Sequence, residues 1–186
     1  MTTLYLIRHA QSDSSVRDDN LRPLTEAGQR QAEALAETLQ KVEFDALYAS
    51  TYPRTSETLK PLAAKQNLKI VPIFNLRERV LGQVAPEQAD RHRKAQWADE
   101  NYKAEQGESI LEVEQRNLKS LRSILRMHPG QTIGVGTHGF ALSVILRALG
   151  DFDYQDHLAL IEKSPCVYRL DFQGEKIAQI EEIQLN

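Results

Sequence analysis

Side chains able to bind an anion or transfer a proton follow four predicted strands of this chain. They are Arg8 and His9 after the apolar run 3–7, Arg54 after 45–50, Arg77, Glu78 and Arg79 after 68–73, and His138 with Gly139 at the end of 131–138. Ligand sites of open α/β sheets lie beyond the carboxyl ends of the strands. We therefore expect these side chains to meet at one edge of a sheet.

Such a cluster has the chemistry of a phosphate site. Arginine forks match phosphate oxygens bidentately and stay charged at any working pH. The backbone N–H of Gly139, at the start of a predicted helix, adds a further donor. A neutral imidazole, with a reference pKa of about 6.5, is a competent nucleophile near pH 7. A glutamate such as Glu78 can protonate the leaving oxygen. One histidine could thus attack phosphorus directly.

Each residue also has a structural interpretation. Arg54 could pair with Glu57 or Glu26, and Glu78 with a neighbouring arginine, whereas a histidine between an apolar strand and an apolar helix is commonly a core residue. We interpret the other three histidines, His92, His128 and His157, as incidental. No two histidines have zinc-binding spacing and Cys166 is the one cysteine, so we expect no metal.

The elements that would position these residues alternate along the chain. Helices are predicted from Thr25 to about residue 39, over 53–67 with a kink or break at Pro61, from Ser109 to about Met127, and over 139–150. The last two strands are predicted to form a hairpin that turns at Gln173-Gly174. This alternation indicates an α/β fold: a three-layer sandwich with a mainly parallel central sheet and helices on both faces.

Residues 79–107 differ from the rest because they are rich in charge and lack periodicity. We interpret them as a charged cap segment of one or two exposed helices, inserted into a single domain that spans residues 1–186. Trp97 and Tyr102 are expected to pack within this insertion rather than to form a lid. Substrate specificity is expected to reside here and in residues 10–22.

The overall composition excludes several partner classes. The net charge is −3, with 41% hydrophobic and 26% charged residues, so we expect neither a nucleic-acid nor a membrane partner. No apolar run approaches the roughly 20 residues of a membrane span. The absence of a signal-peptide pattern and the single cysteine favour a cytoplasmic protein. The sequence does not predict an oligomeric state.

Six segments in order resemble the histidine phosphatase superfamily, which includes the cofactor-dependent phosphoglycerate mutases. They are "LIRHAQS", "RPLTEAGQRQA" (22–32), "ASTYPRTSET" (49–58), "NLRE" (75–78), "GESILEVEQR" (107–116) and "GTHGF" (136–140). The resemblance covers about residues 3–150 and implies a phosphoglycerate mutase-like fold. Ala10 replaces the commoner glycine, and Gln11 stands where many members have glutamate.

The resemblance implies His9 as the phosphorylated nucleophile and Glu78 as the proton donor. It implies Arg8, Arg54 and His138 as phosphate ligands, with no metal or cofactor. We add Gln11 and Gly139 as substrate-binding candidates.

The first hypothesis for the function is a metal-independent phosphomonoester hydrolase, acting on a small phosphorylated metabolite or on phosphohistidine in a protein. A phosphoglycerate mutase-type phosphoryl transfer is the alternative, and a non-catalytic phosphate-binding module is the third. A mutase must exclude water from its site, and this favours a longer cap than the segment 79–107 offers.

Overall fold

The computed structural model describes residues 1–185 as alternating strands and helices. In chain order they are β1 (Thr2–Arg8), α1 (Glu26–Thr38), β2 (Ala46–Ala49), α2 (Pro53–Gln66), β3 (Ile70–Pro72), α3 (Ala89–Ala98), α4 (Ile110–Met127), β4 (Thr132–Thr137), α5 (Gly139–Leu149), α6 (Tyr154–Ile161), β5 (Cys166–Gln173) and β6 (Lys176–Ile183). No helix in this part of the chain combines the length and apolarity that crossing a membrane requires.

The strands form one sheet in the order β3-β2-β4-β1-β5-β6. β3, β2, β4 and β1 are parallel, and β5 and β6 are added antiparallel. Arg8 lies opposite Thr137 and Ala49 opposite Gly136, so β1, β2 and β4 end at the same edge. The residues that follow these three strands are therefore brought together.

Helices cover both faces of the sheet. On β1, Leu6 packs in a core cluster with α4, α5 and α6, whereas Ile7 packs in a second cluster with α1 and α2. Successive side chains of a strand point to opposite faces, so a strand covered on both sides is apolar throughout. The predicted three-layer α/β sandwich is confirmed.

The structure departs from the local expectations at three places. Of the kink or break predicted at Pro61, a break does not occur: α2 continues through it, with Leu59 and Leu62 on either side fully buried. Helix α6 was not predicted, although Asp153 and Asp156 form a capping box at its start. The hairpin turns at residues 174–175, one residue later than predicted, where Gly174 has a positive φ of 62°.

The cap segment 79–107 contains a single regular helix, α3, preceded by a short 3₁₀ turn. The helix is less exposed than predicted, because His92 and Gln96 are buried. Gln96 Nε2 donates to the Glu108 carbonyl oxygen at 2.8 Å. Trp97 packs against the cluster formed by α4 and α5, which lies outside the segment itself.

Candidate active site

The two histidines predicted to share a site lie side by side. The ring centroids of His9 and His138 are 5.3 Å apart, and the planes are inclined at 65°. Their proximity follows from the parallel register of β1 and β4, since each histidine is the first residue after its strand. The His9 N–H donates to the Thr137 carbonyl oxygen at 3.1 Å, which extends that pairing by one residue.

His9 is held in one tautomer. Its Nδ1 lies 2.7 Å from the carbonyl oxygen of Ala10, and a carbonyl only accepts, so Nδ1 carries the proton. Nε2 is left with a free lone pair. Burial, the Arg54 charge and the Arg8 charge lower the pKa of His9 to about 3. The imidazole is therefore neutral, and nucleophilic, throughout the physiological range.

His138 is fully buried at the start of α5. Its Nε2 lies 2.7 Å from Ser50 Oγ, while Nδ1 has no hydrogen-bond partner among residues 1–185. Burial is the main cause that lowers its pKa well below the usual value, and the neighbouring His9 and Arg54 add to the effect. Burying a nitrogen without a hydrogen-bond partner costs free energy, which indicates that a ligand can supply the missing partner.

Arg8 is anchored by main-chain oxygens. Its Nη1 donates to the carbonyl oxygens of Leu160 at 2.8 Å and Ile161 at 2.9 Å, and also to that of Lys163. These carbonyls belong to the end of α6, where unpaired acceptors are exposed. Nε is buried without a partner in the described chain. A Cβ on Gly139 would lie 3.1 Å from this Nε, so a side chain there would crowd the guanidinium.

Arg54 lies in the first turn of α2 and is almost fully buried. Its Nη2 donates to a carboxylate oxygen of Asp19 at 3.0 Å, and Nη1 donates to the Asp19 carbonyl oxygen. Asp19 comes from the polar loop before α1, so the partner is neither Glu57 nor Glu26. Arg54 Nε is also buried and unpartnered within residues 1–185. The guanidinium carbon is 5.0 Å from the centre of the Tyr52 ring, which itself packs on His138.

Glu78 caps the helix that follows His138. Its carboxylate oxygens accept the N–H groups of Phe140 and Ala141, both at 3.0 Å, and that of Arg79 at 2.8 Å. A carboxylate at a helix N-terminus is stabilised by the unpaired N–H groups there. The neighbouring arginine side chains go elsewhere: Arg77 pairs with Glu108, and Arg79 stacks over a phenylalanine ring of α5.

A support for Glu78 was missed by sequence reasoning. Arg116 of α4 donates to the carbonyl oxygens of Asn75, Arg77 and Glu78 at 2.7, 2.8 and 3.1 Å. The same guanidinium forms two hydrogen bonds with the carboxylate of Glu108. This network fixes the loop that carries Glu78. Arg116 and Glu108 both lie in the segment 107–116. The charged residues of this segment show no periodicity that indicates which groups they pair with.

Gln11, which was predicted to bind substrate, contacts the start of α1 and not the two histidines. It is exposed, and its Oε1 accepts from Thr25 Oγ1 at 3.0 Å. Its carbonyl oxygen accepts the Thr25 N–H at 3.0 Å, and a Cβ on Gly28 would lie 2.1 Å from that oxygen. Gln11 thus ties the loop to α1, and the described contacts do not join its side chain to the two histidines. Gly28 must be glycine because that carbonyl approaches so closely.

The remaining histidines lie outside this cluster. His128 contacts the Tyr48 hydroxyl at 2.8 Å, and His157 contacts Ser143 Oγ at 2.9 Å. Within residues 1–185 no group of three or more His, Cys, Asp or Glu side chains is placed to hold a metal ion.

Known proteins resemble the chain over nearly its whole length. A probable phosphoglycerate mutase, GpmB, of Yersinia enterocolitica is 26% identical over 185 residues, covering 93% of this chain and 86% of the relative. The structure of Bacillus stearothermophilus YhfR is 26% identical, with a TM-score of 0.77 and coverage of 96% and 95% of the two chains. A mycobacterial glucosyl-3-phosphoglycerate phosphatase shares the fold at 22% identity, with a TM-score of 0.77 and coverage of 99% and 98%.

The match to a family covers all the site residues described above. The model of the histidine phosphatase superfamily (branch 1) matches residues 4–184, which include both histidines, both arginines and Glu78. The chain belongs to branch 1 of the histidine phosphatase superfamily.

Proposed function

We propose that this chain is a metal-independent phosphomonoester hydrolase that forms a phosphohistidine on His9. The observation that carries the proposal is the His9 ring, with a free Nε2, packed against His138, together with three buried nitrogens that lack partners within residues 1–185. Those nitrogens are Nε of Arg8, Nε of Arg54 and Nδ1 of His138. A neutral nucleophile surrounded by cations and donors suits a phosphoryl group, whose oxygens gain negative charge in the transition state.

The reaction has two balanced steps. The Nε2 lone pair of His9 attacks phosphorus, the ester P–O bond breaks, and the leaving oxygen takes a proton from Glu78. The proposal requires that this carboxyl group, whose oxygens accept three backbone N–H groups, is protonated when the substrate binds. Water then attacks the phosphorus, the N–P bond breaks, and inorganic phosphate and neutral His9 are formed. Glu78 takes the proton that this water loses. Arg8, Arg54, His138 and the Gly139 N–H hold the non-bridging oxygens.

The substrate is proposed to be a small phosphorylated metabolite or phosphohistidine of a protein. A phosphate ester with a small leaving group needs few contacts outside the cluster, and the mycobacterial relative is named for a phosphorylated sugar acid. Specificity would depend on the loop at 10–22 and on the cap segment.

A mutase is the second candidate because the curated relatives are named probable phosphoglycerate mutases. A mutase must return the phosphoryl group to a hydroxyl of the bound substrate before water intervenes. Bisphosphate-dependent interconversion of 3- and 2-phosphoglycerate, faster than phosphate release, would favour this candidate over the hydrolase.

The test measures hydrolysis of p-nitrophenyl phosphate with chelator present, inhibition by vanadate, and acid-labile phosphate on the quenched enzyme. We expect vanadate-sensitive turnover by the native chain and no phosphoenzyme in His9→Ala, because Nε2 is the attacking atom. His128→Gln, a change in a histidine outside the cluster, is the matched control and should keep its activity. Unchanged activity in His9→Ala would refute the assignment. Phosphate or vanadate binding without turnover would favour a binding module.

A further inference from the structure

We propose that Ser50 is a positioning residue for His138. Its hydroxyl donates to Nε2 of the imidazole and thereby keeps the proton on Nδ1, the ring nitrogen that has no protein partner within residues 1–185. The inference deepens the proposed function, because it specifies how His138 acts as a donor to the phosphoryl group. Only the predicted effect on kcat rests on the proposed function; the predicted tautomer of His138 does not.

The hydroxyl hydrogen of Ser50 has two acceptors within reach. Ser50 Oγ is 2.7 Å from His138 Nε2 and 3.2 Å from Thr55 Oγ1. The hydrogen of Thr55 Oγ1 has its own acceptors, the carbonyl oxygens of Tyr52 at 2.8 Å and of Ser50 at 3.0 Å. The Tyr52 N–H donates to Ser50 Oγ at 3.2 Å, so that oxygen already accepts one bond. We therefore assign the Ser50 hydrogen to Nε2: in the opposite arrangement, with Nε2–H donating, Oγ would accept two bonds and its hydrogen would have only the longer contact with Thr55.

This assignment decides the state of the other ring nitrogen. A neutral imidazole carries one proton, and its two nitrogens are a donor and an acceptor. With Nε2 accepting, Nδ1 carries the proton and is a donor. Nδ1 is the buried nitrogen that lacks a partner within residues 1–185. An N–H there can bind a phosphate oxygen, whereas a bare lone pair would repel it.

The fold holds Ser50 in place for this contact. Ser50 is the first residue after β2, and its backbone N–H donates to the Gly136 carbonyl oxygen of β4 at 3.0 Å. His138 lies two residues after Gly136. The two residues are therefore fixed to the same strand end, and both are buried, with exposures of 2% and 0%. Water cannot easily replace the hydroxyl as a donor.

Nitrogen-15 NMR of the histidine rings in the full-length protein tests the tautomer directly. The native protein is expected to show Nδ1–H and a bare Nε2 for His138, assigned by the signals that disappear in His138→Gln. Finding the proton on Nε2 would overturn the proposal. The measurement needs no turnover, so it stands even if the hydrolase assignment fails.

The kinetic test compares Ser50→Ala with Ser50→Thr, which restores a hydroxyl. Ser50→Ala should lower kcat about 10- to 100-fold, because a fixed donor to a transition-state oxygen is lost in most of the molecules. KM should change less, and the NMR spectrum should show His138 with mixed tautomers. Ser50→Thr should recover most of kcat and the native tautomer.

Thr55→Val is the matched control, because it removes the weaker neighbour of the same hydroxyl. It should leave the His138 tautomer unchanged. Equal losses in Ser50→Ala and Ser50→Thr with a native tautomer in both would show that Ser50 acts by packing, which contradicts the proposal. A native tautomer and a native kcat in Ser50→Ala would also contradict the proposal.

Discussion

The two arginines beside His9 are held in opposite ways. Arg8 donates to main-chain carbonyls at the end of α6, which are neutral and belong to a packed helix. Arg54 is paired with the carboxylate of Asp19, whose side chain is 44% exposed on the loop before α1. Neutral partners leave the charge of Arg8 available for a phosphate. The charge of Arg54 is partly neutralised by a group with which an incoming phosphate must compete.

Replacing Arg8 should have the largest effect of the changes that test this difference. Arg8→Met removes a fixed cation from the site and leaves the α6 carbonyls unpaired, so kcat/KM should fall about 10²- to 10³-fold and the melting temperature should fall too. Arg8→Lys should recover little activity, since one ammonium cannot serve both the carbonyls and the phosphate. Hydrolysis assays and thermal unfolding of both variants check this.

Arg30→Met provides the control for the loss of one positive charge, because Arg30 is exposed on α1. It should keep native kcat/KM. If Arg8→Lys retained full activity, the carbonyl anchor would be unnecessary, and the contrast between the two arginines would lose its basis.

Asp19→Asn tests the other side of the comparison and should have a smaller, opposite effect. Removing the competing carboxylate should tighten the binding of phosphate and vanadate about fivefold, equivalent to ~1 kcal/mol for a half-exposed ion pair. The gain should shrink in 1 M salt, where charges in contact with solvent are screened. Isothermal titration at two salt concentrations measures it.

Asp18→Asn is matched to this variant in charge, because the Asp18 side chain accepts from the Asn20 N–H and not from Arg54. It should leave the affinity for vanadate unchanged. Weaker binding by Asp19→Asn would mean that Asp19 orients Arg54 for the ligand instead of competing with it.

The Arg8 side of the site could be located from sequence, but its anchor could not. The apolar run before Arg8 and His9, together with the parallel-sheet rule, placed both residues beside His138. The carbonyl partners of Arg8 lie 152 to 155 positions later in the chain, beyond any local pattern. They depend on α6, whose capping box was present in the sequence and was not recognised.

The Arg54 side was harder still to predict. Arg54 was found because it follows a strand, but Asp19 lies in a polar loop with neither helical nor strand periodicity. Several carboxylates were equally available by sequence separation, and the two partners suggested for Arg54 were both wrong. Ser50 was part of a recognised segment, yet only the register of β2 against β4 brings it to His138. Contacts set by tertiary packing leave no local signature.

The last prediction concerns stability and not ligand binding, and its residue is His157, which lies in the helix that anchors Arg8. Burial, followed by the charges of Arg93 and Arg79, lowers its pKa to about 3. The pKa in the unfolded chain is about 6.5, so the unfolded state gains a proton first as pH falls. The stabilising contribution of the neutral ring is complete above pH 6.5 and is lost progressively towards pH 3. The loss is about 1.4 kcal/mol per pH unit.

His157→Gln should therefore be less sensitive to acid than the native chain. Between pH 7.5 and 5.5 the native free energy of unfolding should fall by ~1.4 kcal/mol more than that of the variant, as measured by urea denaturation. Acid would then weaken α6 and its hold on Arg8, while leaving the Asp19–Arg54 pair in place. Parallel pH dependences of the two proteins would show that His157 takes up its proton in the folded state, and would separate the stability of α6 from the protonation of this ring.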